Sequence, residues 1–135
     1  MAYKITEIEG IGPSFADKLA AANISDTDHL LDHCATKNGR KAIAEKTGIG
    51  ESQLLKWSNM ADLMRISGVG KQFAELLEAA GVDTVKELRT RNAANLADAM
   101  KKINDEKKLT KGAASGDTVE AWITQAKSMD PKISH

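Results

Sequence analysis

The chain has 135 residues, of which 41% are apolar and 28% charged, with 19 basic and 19 acidic side chains and no formal net charge. That composition is ordinary for a soluble globular protein, and the length suits one domain or two small ones sharing an interface. Electroneutrality argues against the strongly basic class of nucleic-acid binders, and no stretch nears the ~20 apolar residues of a membrane span, so no membrane partner is expected.

The first segment is a turn. Residues 7–15 read EIEGIGPSF, with Gly10 and Gly12 on either side of Ile11. Glycine supplies positive φ without steric cost, so a short link between two helices can turn sharply there. Pro13 presets the first helical position. The following helix carries Phe15, Ala16 and Leu19, and ends at Asn23, a residue that accepts the left-handed conformation.

Farther along, SDTDHLLDHCA opens with cap residues and places Leu30, Leu31 and Cys34 at helical spacing. NGRKAIAEKTG puts Ala42, Ile43 and Lys46 on a short helix that stops near Gly48. KTGIGESQ imitates the first turn, but Glu51 directly follows its second glycine; a carboxylate there serves the helix start itself and repels phosphate. ESQLLKWSNMADLM then carries Leu54, Leu55, Trp57, Ser58, Ala61 and Met64 near a 3.6-residue period.

Residues 65–73, RISGVGKQF, repeat the opening turn with an offset of 58. Gly68, Val69, Gly70, Phe73, Ala74 and Leu77 answer Gly10, Ile11, Gly12, Phe15, Ala16 and Leu19, and Gly81 answers Asn23. VDTVKELRT follows with Asp83 as the expected cap. NAANLADAMKKI aligns Leu96, Ala99, Met100 and Ile103. EKKLTKGAASGD reads as a solvated loop. GDTVEAWITQAK opens with Asp117 as expected cap and Glu120 three places on, a capping-box pattern. Trp122 answers Trp57 with an offset of 65, so the second half has the longer connection. Strand-like alternation is absent. The expected fold is all-α: two related repeats, about 1–62 and 63–130, packed as a compact helical bundle, with a tail at 131–135.

The pattern Ile-x-Gly-Ile-Gly-x-x-Phe-Ala-x-x-Leu resembles the helix-hairpin-helix motif of DNA repair polymerases, glycosylases, ligases and branch-migration proteins. Ile8, Gly10, Ile11, Gly12, Phe15, Ala16 and Leu19 fit its first copy, and Ile66, Gly68, Val69, Gly70, Phe73, Ala74 and Leu77 its second. The resemblance implies binding of a DNA phosphate, without sequence preference, by amides left open at the next helix start. On the residues themselves, such open donors and the helix dipole favour an anion. The whole order, from NGRKAIAEKTGI and LLKW through ADLMRISGVG and LLEAAGVDTVKEL to RNAANL, EKKL and VEAWITQAK, is similar to a family of small bacterial proteins described only as a domain of unknown function.

The DNA-contacting residues implied are Gly10, Ile11, Gly12 and Ser14 in the first hairpin, and Gly68, Val69, Gly70, Lys71 and Gln72 in the second. Ser14 stands where DNA-binding copies often have a cation. In the alternative, both hairpins are purely structural joints of a protein-interaction module. Basic residues between Lys86 and Lys111, and the pair Arg40 and Lys41, either widen a phosphate footprint or form a solvated face.

His29 and His33 share a helix face beside Cys34; a solvated face for the histidines and a core role for Cys34 outweigh a metal site. Trp57 and Trp122 are read as core anchors rather than base-stacking platforms. Without a nucleophile motif, metal-ligand set or phosphate-cradling loop, no catalytic residue, enzyme activity or cofactor is expected. A single cysteine and the lack of a secretory pattern give cytoplasmic as the expected location. The expected partner is DNA, bound weakly and with salt dependence, or a protein.

Overall fold

The computed structural model describes residues 2–112 and 114–135; Met1 and Ala113, the latter within the expected solvated loop, lie outside the described residues. These residues form eight α-helices: α1 Pro13–Ala21, α2 Thr27–Cys34, α3 Lys37–Thr47, α4 Glu51–Leu63, α5 Lys71–Ala79, α6 Val85–Leu88, α7 Ala93–Lys107 and α8 Gly116–Lys127, after a 3-10 turn at Ile5–Glu7. Among the described residues there is no strand beyond one isolated bridge between Lys4 and Asp26. Nor is any helix among them long and apolar enough to cross a membrane.

Helix α4 is the axis of the packing. Every residue from Trp57 to Leu63 is buried. It packs on α2, α3 and α5, while α7 packs on α5 and α8, and α6 on α8. One apolar core runs through the molecule, from Ile8, Leu19 and Leu30 through Leu54 and Met60 to Leu77, Leu88 and Trp122. Buried polar groups in that stretch call for partners within the fold, and Asn59 Oδ1 has none among the described residues. Ser58 finds one by donating its hydroxyl to the Leu54 carbonyl at 2.7 Å.

Asp62 uses both carboxylate oxygens. Oδ1 accepts from Arg65 Nη1, 2.6 Å away, and Oδ2 accepts from the Val85 N–H, 2.8 Å away. Residues 58 places earlier solve the same problem differently: the Thr27 N–H donates to the Tyr3 carbonyl at 2.9 Å. Thus the first N–H of α2 is satisfied by backbone, and the first N–H of α6 by a buried carboxylate.

Three local expectations are corrected. The cap of α6 is Thr84, not Asp83; its side chain accepts from the Glu87 N–H. Because Asp62 holds the Val85 amide, the helix begins at Val85 and the capping position falls one residue after Asp83. The cap of α8 is Ser115, which accepts from the Thr118 N–H, so Asp117 lies inside the first turn. Arg40 is not a surface cation beside Lys41: it is 3% exposed. The start of α3 presses on the end of α2, so that a Cβ on Gly39 would collide with the His33 carbonyl oxygen. That close approach carries Arg40 inward.

Candidate functional site

Each Gly-apolar-Gly turn is built around a tryptophan. Gly10 has φ +94° and Gly68 φ +92°, a region that L side chains rarely adopt. A Cβ at Gly10 would lie 3.2 Å from Trp57 Nε1, and one at Gly68 would lie 3.2 Å from Trp122 Nε1. Phe15 meets Trp57 edge to face with ring centroids 5.1 Å apart, and Phe73 meets Trp122 likewise at 5.2 Å. Both tryptophans are buried. They are therefore anchors, with no face open for base stacking.

Ile11 and Val69 are buried plugs, and their amides donate to the carbonyls of Ile8 and Ile66, each at 3.1 Å. Their side chains and amides are thus used within the fold. The helix starts behind them are different. Gly12 and Gly70 cap α1 and α5 without a side chain, and neither helix has an acid in its first turn. Each of the other six helices has a side-chain cap or a first-turn acid. The amides of Gly12, Ser14 and Phe15, and of Gly70, Lys71, Gln72 and Phe73, have no hydrogen-bond partner among the described residues. Open donors at a helix start attract anions.

The two Gly-apolar-Gly turns meet through an ion pair. Lys71 Nζ lies 3.1 Å from Glu9 Oε2. That hydrogen-bonded ammonium is the main reason the Glu9 carboxyl is held below its ordinary range. Glu7 borders the same open cleft of about 330 Å³ as Gly70, Lys71, Gln72 and Phe73. The start of α5 is thus flanked by two acids of the first Gly-apolar-Gly turn, Glu7 and Glu9, whereas α1 carries Lys18, whose Nζ is 5.6 Å from the Phe15 ring centroid.

Residues 9–129 match the family described as Domain of unknown function (DUF4332). The chain belongs to that family. No curated protein and no solved structure matches it.

In this DUF4332 chain the match covers both Gly-apolar-Gly turns and a cleft that includes Glu9 and Glu75. That cleft, of about 240 Å³, is lined by Glu9, Lys56, Met60, Glu75, Glu78, Ala79, Lys107 and Leu109. Burial, then the neighbouring Glu9 charge, pushes the Glu75 carboxyl above its ordinary range. The basic loop extends farther: Lys101, Lys108 and Lys111 line a cleft of about 430 Å³ with Asp105 and Thr110. Asn104 holds that loop through its amide, which accepts from the Thr110 N–H at 2.9 Å and donates to the Thr110 carbonyl at 3.2 Å. Arg91 is committed elsewhere, to Glu87 and to the Gly81 carbonyl.

His29 Nδ1 lies 3.1 Å from the Ser25 hydroxyl, and the described residues contain no group of three side chains placed to hold a metal ion. Cys34 is buried, and burial pushes its thiol up to about 11 against the opposing pull of Arg40. Such a thiol is neutral and unreactive at neutral pH. Sequence reasoning missed Asp62 and the Glu9–Lys71 pair. For Asp62 a signal exists, an acid set inside the apolar run NMADLM. For the ion pair there is none, since its members are 62 residues apart and neither breaks a local pattern.

Proposed function

We propose that this chain is a non-catalytic helix-hairpin-helix module that touches the nucleic-acid backbone, without sequence preference, through the bare helix starts at Gly12–Phe15 and Gly70–Phe73. The observation that carries the reading is the selective lack of caps: α1 and α5 alone among the eight helices have neither a side-chain cap nor a first-turn acid. A phosphate oxygen would supply the acceptors that Asp26, Thr36, Thr84, Asn92 and Ser115 supply to five of the others. Electroneutrality and the acids Glu7 and Glu9 keep such binding weak. With two neutralised phosphates the logarithmic salt slope is about −2.

Anisotropy of a labelled duplex at about 20 and about 200 mM salt tests the proposal. Gly12→Asp caps α1 and puts a charge at the anion position; it abolishes the contact while leaving the fold intact. Glu9→Gln releases Lys71 and tightens binding a few-fold. A duplex that does not bind at the lower salt, or binds independently of salt, sinks the reading.

The Glu9–Lys71 ion pair favours a second reading, in which the hairpins are internal joints and the partner is a protein. On that reading Gly12→Asp stabilises the chain and changes no binding to nucleic acid.

A further inference from the structure

The last residues of the chain lie as a strap across the α2–α3 junction. Ile133 is 8% exposed and joins the core, although Pro131, Lys132, Ser134 and His135 on either side are exposed. Ser134 is held by both backbone groups. Its N–H donates to the Ala35 carbonyl at 2.9 Å, and its carbonyl accepts from Arg40 Nη2 at 2.6 Å. Farther back, the Asp130 carbonyl accepts from Arg65 Nη2 at 3.1 Å.

Arg40 is the unusual member. Its guanidinium is buried, yet no carboxylate forms an ion pair with it among the described residues. Nη1 is used within the fold, donating to the Cys34 and Ala35 carbonyls at 3.0 and 3.1 Å, where it complements the negative end of α2. Nη2 is left for the strap, and the strap gives it a neutral carbonyl. A buried cation is ordinarily matched by an anion, and a charge-assisted bond to carboxylate is about twice as strong as one to a neutral acceptor.

We propose that this groove is a capture site for the carboxyl end of an extended peptide, closed in cis by residues 131–135. The geometry specifies the ligand. It needs a β-branched aliphatic side chain to fill the Ile133 position. One residue later it needs a free N–H for the Ala35 carbonyl and a terminal carboxylate where the Ser134 carbonyl meets Arg40. The strap satisfies the first two requirements and lacks the third. It acts as a weak resident that a peptide ending in Ile-Ser with a free carboxylate displaces. A short tether presents a resident segment at an effective concentration on the order of millimolar, so the closed groove masks ligands of modest affinity.

The test uses the full chain carrying Ile133→Asp, which expels the strap, with folding checked by circular dichroism. Two labelled pentapeptides, Asp-Pro-Lys-Ile-Ser as free acid and as amide, are titrated by anisotropy. The acid is expected to bind the variant at least about tenfold more tightly than the wild type, and about five- to tenfold more tightly than the amide. A folded variant that does not bind the acid, or binds both peptides equally, overturns the proposal. Should Ile133→Asp unfold the chain, Ser134→Pro, which removes the N–H that donates to the Ala35 carbonyl and restricts the backbone at Ile133, is judged by the same criteria. The wild type gives an arm free of variants. The acid peptide at millimolar concentration is expected to shift the amide resonances of Ala35 and Ser134, and resonances that stay unmoved refute capture.

Discussion

The two glycines of each hairpin turn do different work, and alanine substitution separates them. At Gly10 and Gly68 an alanine meets two costs. Holding an L residue at φ +94° or +92° costs about 1–2 kcal/mol. The new Cβ would sit 3.2 Å from Trp57 or Trp122 Nε1, so a buried indole must shift within a packed core, at about 1–3 kcal/mol. The smaller entropy of the unfolded alanine chain returns about 0.4–1 kcal/mol, leaving a net loss of about 2–4 kcal/mol. With an unfolding entropy of about 0.28 kcal/mol/K for 135 residues, Tm falls by roughly 7–14 °C.

Gly12 and Gly70 behave otherwise. Their φ values, −88° and −96°, are ordinary for alanine, and a Cβ there meets nothing within 4 Å. The unfolded-state gain then nearly cancels the poorer capping by alanine, and stability stays within about 0.5 kcal/mol of the wild type. Urea melts of the four single variants, followed by tryptophan fluorescence, give the comparison. A double-mutant cycle of Gly10→Ala with Trp57→Phe isolates the indole contact and is expected to show coupling above about 0.5 kcal/mol. Equal losses at all four glycines, or a Gly10→Ala variant as stable as the wild type, would refute the account of the turns.

Four further outcomes follow from the same structure. Asp62→Ala leaves Arg65 Nη1 and the Val85 amide without their acceptor, while Arg65 keeps the Asp130 carbonyl, and is expected to cost about 2–3 kcal/mol in a urea melt. Glu75 has a folded pKa raised above its ordinary 4.5, so the stability linked to it is greatest at low pH and is lost as pH rises through the raised value. Glu75→Gln should therefore raise Tm at neutral pH, with the gap closing as pH falls below 4.5. Glu9, lowered by Lys71, has the opposite sign: its contribution is present above 4.5 and lost as pH falls through the lowered value. Cys34, buried and pushed up to about 11, should resist a thiol reagent in the folded chain and react fully in urea.

Much of the helical layout was legible because amphipathic spacing and left-handed terminators are local. Asn23, Gly48 and Gly81, with φ of +66°, +74° and +92°, end or follow their helices where the sequence places them. The sequence places the cap of α6 one residue early, at Asp83, and that of α8 two residues late, at Asp117. Adjacent Asp, Thr and Ser are near-equal cappers, and at α6 a contact from α4 makes the choice: the Asp62 carboxylate takes the Val85 amide. Arg40 was misread for a related reason. Its burial depends on Gly39 letting α3 approach the His33 carbonyl, and on a tail 94 residues away, neither of which a charge count reports.

The candidate site divides along the same line. The Gly-apolar-Gly signature is visible in sequence, but its first glycine is fully explained by φ and by a tryptophan, and its apolar residue by a spent amide and a core plug. None of those features requires a ligand. Any discrimination between a phosphate-binding turn and a mere joint must come from residues that the fold does not need. These are the uncovered amides after Gly12 and Gly70, the side chain of Lys71, and Glu9, which spends that cation on the molecule itself. A motif match weighs all these positions together, yet only the last group bears on binding. Gly12→Asp and Glu9→Gln therefore test function where Gly10→Ala and Gly68→Ala test only the bend.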